Sequence, residues 1–402
     1  MSEPDTAMVL ADRTPKHMPR WLTLLLACAC GLITANVYYA QTLVGPIGSE
    51  LGMSAESAGL IVTLTQLGFA AGMTLIVPLA DLVENRRLVV GMVAVSVLAL
   101  AAAALVEHAQ AFLIAATFIG LASVSVQILV PYASHLSHES VRGRTVGNIM
   151  SGLMLGIMLA RPFSSLLADL GSWRTVFVVS AVMMTVLGIS LRLALPARRP
   201  HGNLSYAQLL ASLGVLARTT PILQRRAIYH SFQFAAFTLF WTVTPLLLTG
   251  PAFRLSQSSV ALFALAGVTG AIAAPVAGRM ADRGWSRPAT GIGMLSVAVA
   301  FLMSHVAEPG SHLALGLLVA AAILLDFGIT MTLVTGQRAI FSLGQEIRGR
   351  LNALYMSTWY IAGALASAVG AWAYAQGGWA LASWIGLALP VTALMYFATE
   401  KG

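Results

Sequence analysis

Apolar runs of about 20 residues, separated by short polar links, recur from Trp21 to the end of the chain, and charge is almost absent inside them. A run of that length matches the hydrocarbon thickness of a bilayer. Backbone polar groups in lipid must be satisfied within their own segment, so the runs are read as spanning helices. Strict polar–apolar alternation is absent, which argues against a membrane barrel. Composition agrees, with 58% hydrophobic and 9% charged residues and a mean hydropathy of +0.81, too apolar for an ordinary soluble domain. Twelve helices are expected, starting near Trp21, Ser57, Leu88, Ala111, Thr145, Thr175, Ala227, Gln257, Pro288, His312, Leu351 and Trp379. The first run continues past Tyr38 without a small-residue cleavage site and is read as a retained helix, not a signal peptide.

One segment breaks the pattern. From Arg192 to Arg226 the chain carries Arg192, Arg198, Arg199, Arg218, Arg225 and Arg226 with Pro196, Pro200 and Pro221, and reads as a water-exposed connector. Within it Leu204, Leu209, Leu210, Leu213 and Leu216 fall on one face of a helix suited to the membrane surface. The expected organisation is a polar tail at 1–20, a six-helix bundle at 21–195, the connector at 196–226 and a second six-helix bundle at 227–398. The halves repeat each other in order. Leu79-Ala80-Asp81 is echoed by Met280-Ala281-Asp282-Arg283, Arg142-Gly143-Arg144 by Arg348-Gly349-Arg350, and Gly171-Ser172-Trp173 by Gly377-Gly378-Trp379. The offsets are 201 residues (81 to 282) and 206 (142 to 348, 173 to 379), so one register relates the two halves. Duplicated halves are a usual construction of transporters.

The net charge of +8 would suggest nucleic acid in a soluble protein, but its placement gives another reason. With twelve spans, 20 of the 23 Lys and Arg lie on the side of the N-terminus, Arg174 and Arg254 lie opposite, and Arg161 falls within a span. The positive-inside rule then puts both termini and the connector in the cytoplasm, in the inner membrane of a cell, and no nucleic-acid partner is called for. Cys28 and Cys30 are too close for a usual bridge and too few for a metal cage, so buried reduced thiols are expected. Pairs of small residues at four-residue spacing, Gly68 and Gly72, Gly152 and Gly156, with Gly363, Ala366 and Gly370 more loosely alike, permit close helix approach, either for sliding between bundles or for static packing.

Two charges stand out because a charge in the hydrocarbon is costly and usually faces a cavity or a partner. Asp326 lies 14 residues past His312 and 12 before Arg338, near the midplane, and Arg161 lies 8 residues before Asp169, roughly 12 Å from the outer end. Pairing between them, directly or through water, makes Asp326 a proton carrier or else one half of a fixed structural ion pair.

The all-helical, twelve-span, two-half organisation and the Asp-plus-basic turns resemble the major facilitator superfamily over almost the whole chain. Its signature turn, Gly-x-Leu-Ala-Asp-Arg-x-Gly-Arg-Arg, is met by Gly278, Ala281, Asp282, Arg283 and Arg287, and in the first half by Leu79, Ala80, Asp81 and Arg86, with Val77 and Glu84 where the glycines belong. In that reading Asp81, Arg86, Arg142 and Arg144, with Asp282, Arg283, Arg287, Glu346, Arg348 and Arg350, form a cytoplasmic gate, Asp81 pairing with arginines such as Arg142 or Arg144. The alternative for the arginines is that they only fix topology.

A narrower likeness is Gly152-x-x-x-Gly156-x-x-x-Ala160-Arg161-Pro162, which resembles the antiporter motif of the drug and proton antiporters. With Asn36-Val37-Tyr38-Tyr39-Ala40-Gln41, Leu325-Asp326-Phe327-Gly328 and Arg350-Leu351-Asn352-Ala353-Leu354-Tyr355-Met356 it is similar to bacterial sugar, arabinose or nucleoside efflux permeases. Helices one, four, seven and ten line the cavity in this superfamily. The resemblance therefore implies Asn36, Tyr39, Gln41, Gln127, His230, Gln233 and Trp241 as substrate candidates, joined by Asn352, Tyr355 and Trp359 of helix eleven; packing and ordinary interhelical bonds are the competing reading for each, and His230 is close enough to the cytoplasmic side to be interfacial.

The chain is thus expected to be a secondary carrier working by alternating access, exporting a small organic solute against protons. Proton-coupled uptake by symport, or facilitated flux without protons, is the second reading and a non-transporting receptor or scaffold the third. No cofactor or metal is called for, because neither lysine, Lys16 or Lys401, sits in a P-loop context, and His138-Glu139 lacks the second His of a zinc helix. A monomer is the default.

Overall fold

The computed structural model describes residues 19–200, 205–344 and 346–400; Arg13, Lys16, Leu204 and Lys401 lie outside the described residues. In the first half α1 is Arg20–Tyr38, α2 Leu60–Leu75 and α3 Asn85–Leu105. These are followed by α4 over Ala109–Leu136, α5 over Glu139–Leu170 and α6 over Trp173–Ala194. In the second, α7 is Pro221–Thr249, and α8 is assembled from Gln257–Ala264, a 3-10 turn at Leu265–Thr269 and Gly270–Asp282. Ser286–Met303 forms α9 and His312–Phe341 forms α10. The last helical stretch, Arg348–Ala398, is broken at Gly377 and Gly378, which divides it into α11 (348–376) and α12 (379–398). Gly378 takes φ 61° and ψ −155°, a conformation open in practice only to glycine, so the sharp reversal between the two spans rests on that residue. Hence twelve spans, all α-helical, with no strand among the described residues.

Helix ends follow local chemistry. The Ser311 hydroxyl accepts the Ala314 N–H at the start of α10, Ser256 accepts that of Ser259 before α8, and Pro221 occupies the first turn of α7, where no N–H is needed. Two starts differ from expectation. α5 begins at Glu139 rather than near Thr145, and α7 at Pro221 rather than near Ala227. Hydropathy marks the bilayer, whereas these helices run on for more than a turn beyond it into water. Between α6 and α7, Tyr206–Thr219 forms a helix with a Ser205–Gln208 capping box. Its Leu209 and Leu213 are buried and it docks on the protein, Tyr206 Oη donating to the Leu75 carbonyl and Arg350 Nη1 to Ser212 Oγ.

In the first half α1 packs on α5, α2 on α4 and α3 on α6; in the second, α7 packs on α11, α8 on α10 and α9 on α12. The same pairing twice is the structural form of the sequence repeat. Small residues set the closest crossings. A Cβ on Gly68 or Gly120 would collide with the carbonyls of Thr117 and Thr65 across the α2–α4 contact, and one on Gly152 or Gly156 with Ala27 and Gly31 of α1. Both four-residue pairs therefore lock crossings inside one half, which corrects the sliding reading for them in favour of static packing; Gly363 of α11, by contrast, faces Gln66 of the other half. Cys30 is buried as expected, but Cys28 is exposed on the outside of α1; both are free thiols.

The halves meet through α2–α11 and α5–α8. On the side away from the connector these contacts are tight: Ser367 Oγ donates to the Gly59 carbonyl, Thr63 Oγ1 to that of Ala364, and Gln376 Nε2 to Glu56 Oε1. On the connector side α5 and α8 part. The face of α5 that buries Arg161 and Met158 carries Gly147 and Gly143 about three and four turns beyond Met158, both exposed, with open space where a side chain would stand, as at Gly278 of α8. α2 and α11 stay in touch toward the connector as well, Ser357 Oγ lying 3.2 Å from Thr74 Oγ1 and donating to the Ala70 carbonyl, so the opening on the connector side is the one between α5 and α8.

Candidate functional site

Arg161 is 1% exposed. Its position in α5, one residue before Pro162, points it across the interface toward α1 and α7. Nε donates to Gln41 Oε1 at 2.8 Å, and the guanidinium lies 5.3, 4.9 and 4.3 Å from the ring centroids of Tyr38, Phe237 and Trp241. Its Nη2 has no hydrogen-bond partner, nor has Gln41 Nε2. Asp326, 9% exposed in the middle of α10, accepts the Trp241 indole N–H on Oδ2 at 3.1 Å. Gly267 of the 3-10 turn in α8 closes the site from the other side: a Cβ there would stand 3.2 Å from Trp241 and 3.4 Å from Asp326 Oδ2.

Asp326 and Arg161 are thus brought together, but not as a direct pair. Among the described residues Arg161 makes no ion pair; Trp241 stands between, offering its π face to the cation and its N–H to the carboxylate. Charges so placed attract each other in a low-dielectric interior while each keeps its own polar partner. Either can change partner without the other losing its last contact.

A second cluster lies about 16 Å along α7 toward the connector side, by the 11 residues from Trp241 to His230. His230 is 1% exposed, so it is buried rather than interfacial. Its Nδ1 is 3.3 Å from Thr332 Oγ1, its ring stacks on Tyr355 with centroids 5.6 Å apart and meets the edge of Trp359 at 5.1 Å. The side-chain amide of buried Gln233, Tyr355 Oη, Trp359 Nε1 and His230 Nε2 have no hydrogen-bond partner among the described residues. Groups of that kind are costly to bury alone and can bond a polar solute held between the rings. Tyr38 and Tyr360, whose hydroxyls are 3.2 Å apart, join the two clusters across the halves.

The other candidates fall outside these clusters. Asn36 turns to α6, accepting from Ser180 Oγ at 2.5 Å; Tyr39 packs on Phe163. Asn352 bonds within its neighbourhood, to Gln337 and Met356, and Gln127 is half-buried just past residues 124–125, where α4 is interrupted between Ala109–Ser123 and Val126–Leu136. Sequence reasoning passed over Tyr38, Phe234, Phe237 and Tyr360, and also Gln66 of α2, whose Nε2 donates to Thr238 of α7 at 3.3 Å. A glutamine alone in an apolar span was a usable signal; the aromatics were not, because core aromatics look the same in sequence.

The gate residues do not form the expected pairs. Asp81 is exposed and makes no ion pair with Arg142 or Arg144 among the described residues, which corrects the expected pairing; the guanidinium whose charge acts on it most is Arg350 of the second half, followed by Arg198. Arg142 Nε bonds the Ser134 carbonyl, Arg144, Arg283 and Glu346 are exposed, Arg287 Nη2 bonds the Glu400 carbonyl, and Arg348 that of Phe341. Asp282 pairs with Arg338 at 2.5 Å inside its own half. Glu84, standing where the signature turn has glycine, is buried and holds Arg86 and Arg87 at 3.3 and 2.9 Å. It replaces a turn by a local ion triplet.

Comparison with known proteins agrees with this architecture. A sequence model of the Major Facilitator Superfamily matches residues 24–335 and 233–402. An uncharacterized transporter, YgaY, of Escherichia coli is 38% identical over 353 residues, 88% of this chain and 89% of the relative. A probable transporter of Streptomyces coelicolor is 30% identical over 396 residues, 96% and 90% of the two chains. The purine ribonucleoside efflux pump NepI of Salmonella enteritidis is 28% identical over 234 residues, 55% and 56%. Among solved structures, the nucleoside transporter NupG superposes with a TM-score of 0.76 at 16% identity, covering 94% of this chain and 99% of that one, a likeness of fold. With twelve spans, duplicated halves and these relatives, the chain belongs to the Major Facilitator Superfamily and is a multi-pass membrane transporter.

Proposed function

We propose that the protein is a proton-coupled antiporter of the drug and proton antiporter branch, exporting a small organic solute by alternating access. The halves at 21–195 and 227–398, joined by the connector at 196–226, rock about the midplane, with both termini in the cytoplasm of a bacterial cell and the protein working as a monomer in the inner membrane. The observation that carries this reading is the Asp326–Trp241–Arg161 stack: a carboxylate, an indole and a guanidinium, contributed by both halves, with the ionisable carboxylate at the deep end of the open side. Protonation of Asp326 removes its attraction for Arg161 and changes the contacts across the α5–α7–α10 junction. A solute held at His230, Gln233, Tyr355 and Trp359 would enter from the same opening, so proton and solute alternate at one junction.

The ring-and-amide character of that cluster suits a planar polar solute such as a nucleoside, and the relative named as a purine ribonucleoside efflux pump supports testing nucleosides first; sugars and hydrophobic drugs follow. The closing gate would bring Asp81 to Arg142 and Arg144 when the connector side shuts. Uptake by symport uses the same parts and remains the second reading.

The test is transport in proteoliposomes with an internal pH dye, comparing wild type with Asp326→Asn. Proton movement opposite to an imposed nucleoside gradient, lost in the variant, is the expected result. Movement with the solute would make the protein a symporter, and full proton-coupled exchange in Asp326→Asn would end the carrier role of that residue.

A further inference from the structure

The outer surface of the second half carries a groove of about 320 Å³ between α7, α11 and α12, lined among others by Ile228, Ala235, Leu239, Ala362, Ala366 and Leu389. Alanines at 235, 362 and 366 leave room that larger side chains would fill. From Ile228 to Leu239 the groove runs 11 residues of α7, roughly 16 Å, about half of a ~30 Å hydrocarbon core. It has the length of one leaflet.

At its connector-side end stands Arg225. Positions 225, 228, 232, 235 and 239 share one helical face, so the apolar groove ends on a guanidinium. Arg225 Nε donates to Tyr229 Oη at 2.5 Å and Nη2 to Thr399 Oγ1 at 2.7 Å and the Tyr396 carbonyl at 3.2 Å. Those bonds fix its position and leave Nη1 free among the described residues. Beside it Arg226 pairs with Glu400 at 3.1 Å while its buried Nη1 has no partner, and Arg287 bonds the Glu400 carbonyl. Three guanidinium groups against one carboxylate leave a positive site. Six residues or about 9 Å deeper along α7, the Ser231 hydroxyl lines the groove, buried and without a hydrogen-bond partner among the described residues.

An apolar trench one leaflet long, a hydroxyl at ester depth and a cation at headgroup level match one kind of molecule. We propose that this groove binds an anionic phospholipid, its acyl chain between α7, α11 and α12, its ester region at Ser231 and its phosphate at Arg225, the neighbouring Arg226 being neutralised by Glu400. Basic pockets between spanning helices recognise anionic headgroups by charge, while the trench supplies the apolar contact that a soluble anion lacks. Neither part depends on the direction of transport.

Native mass spectrometry of the detergent-purified full chain, titrated with phosphatidylglycerol and phosphatidylcholine of equal chain length, tests it. Wild type should prefer phosphatidylglycerol roughly fivefold for one engaged Arg. Arg225→Gln should bring the two lipids to parity, and Ala362→Phe should weaken both alike. Glycerol phosphate, which has a phosphate at least as anionic as the headgroup but no chain, should not bind. Equal affinity of wild type for the two lipids, a preference that survives Arg225→Gln, or binding unaffected by Ala362→Phe would overturn the assignment, as would a dimer burying Ala362. Should Arg225→Gln fail to fold, Ala362→Phe decides, because it touches no charged group.

Discussion

A guanidinium buried among three aromatic rings without a carboxylate partner should be dispensable for folding and indispensable for transport, and Arg161→Met separates the two. Methionine keeps the length of the side chain and its apolar packing. What is lost is the charge-assisted bond from Nε to Gln41 at 2.8 Å, about 1.5–3 kcal/mol, and ring contacts of about 0.5–2 kcal/mol each. What is relieved is the desolvation of a buried ion, several kcal/mol, and the unpartnered Nη2, about 1–3 kcal/mol. The terms nearly cancel, leaving a net of about 2 kcal/mol of either sign, or about 4–8 °C in Tm by the scaling of a 150–250-residue domain. Adding Gln41→Leu removes the orphaned amide and should recover part of any loss. The assay is a thermal melt of the purified variants beside solute exchange in proteoliposomes. Near-native melting with exchange abolished is expected. A loss well beyond 8 °C, with residual exchange falling in proportion to folded protein, would refute the reasoning and make Arg161 a structural post.

Other outcomes follow from the same geometry. Trp241→Phe keeps a ring for the cation but deletes the N–H to Asp326, so exchange should fall at least tenfold with little change in melting, read in the same two assays. Gly120→Val should fail to accumulate as folded protein, because its side chain would enter the Thr65 backbone of α2; a fluorescence size-exclusion profile reads this directly. In a variant lacking Cys28 and Cys30, Gly147→Cys should react with a membrane-impermeant maleimide from the connector side, and transported solute should slow that reaction if it drives closure. His305, beyond the end of α9, stacks on Trp384 at 4.5 Å, and burial holds its imidazole below the ordinary value. A depressed folded-state value means stability present above the ordinary histidine range and lost as pH falls through it. His305→Phe should therefore flatten the fall in Tm between pH 7.5 and pH 5.

What could be read in the residues, and what could not, divides along physical lines. Span number, the repeat and the depth of Asp326 were legible because the bilayer imposes length and charge rules on every segment alone. The starts of α5 and α7 were not, because Glu139–Arg144 and Pro221–Arg226 continue a helix in water, where hydropathy carries no signal. Arg161 and Asp326 were each visible as costly charges, but their relation was not: whether they touch depends on what α7 places between them, and Trp241 differs from a core tryptophan only by where its N–H points. The glycine pairs misled for the same reason. Gly152 and Gly156 announce a close approach without naming the partner, and the partner is α1 of their own half. Glu84 is the opposite case, a departure from the signature turn that the structure turns into a local gain, since a buried carboxylate facing Arg86 and Arg87 pins the end of α2 to the start of α3. That leaves Asp81 as the carboxylate at this turn outside the ion triplet, under the longer-range charge of Arg350 and Arg198, and a group so placed would be free to bind Arg142 or Arg144 if the connector side closed. Charge reversal tests that step alone: Asp81→Arg should favour the open arrangement and slow exchange, and Asp81→Arg with Arg144→Asp should restore it if those two meet.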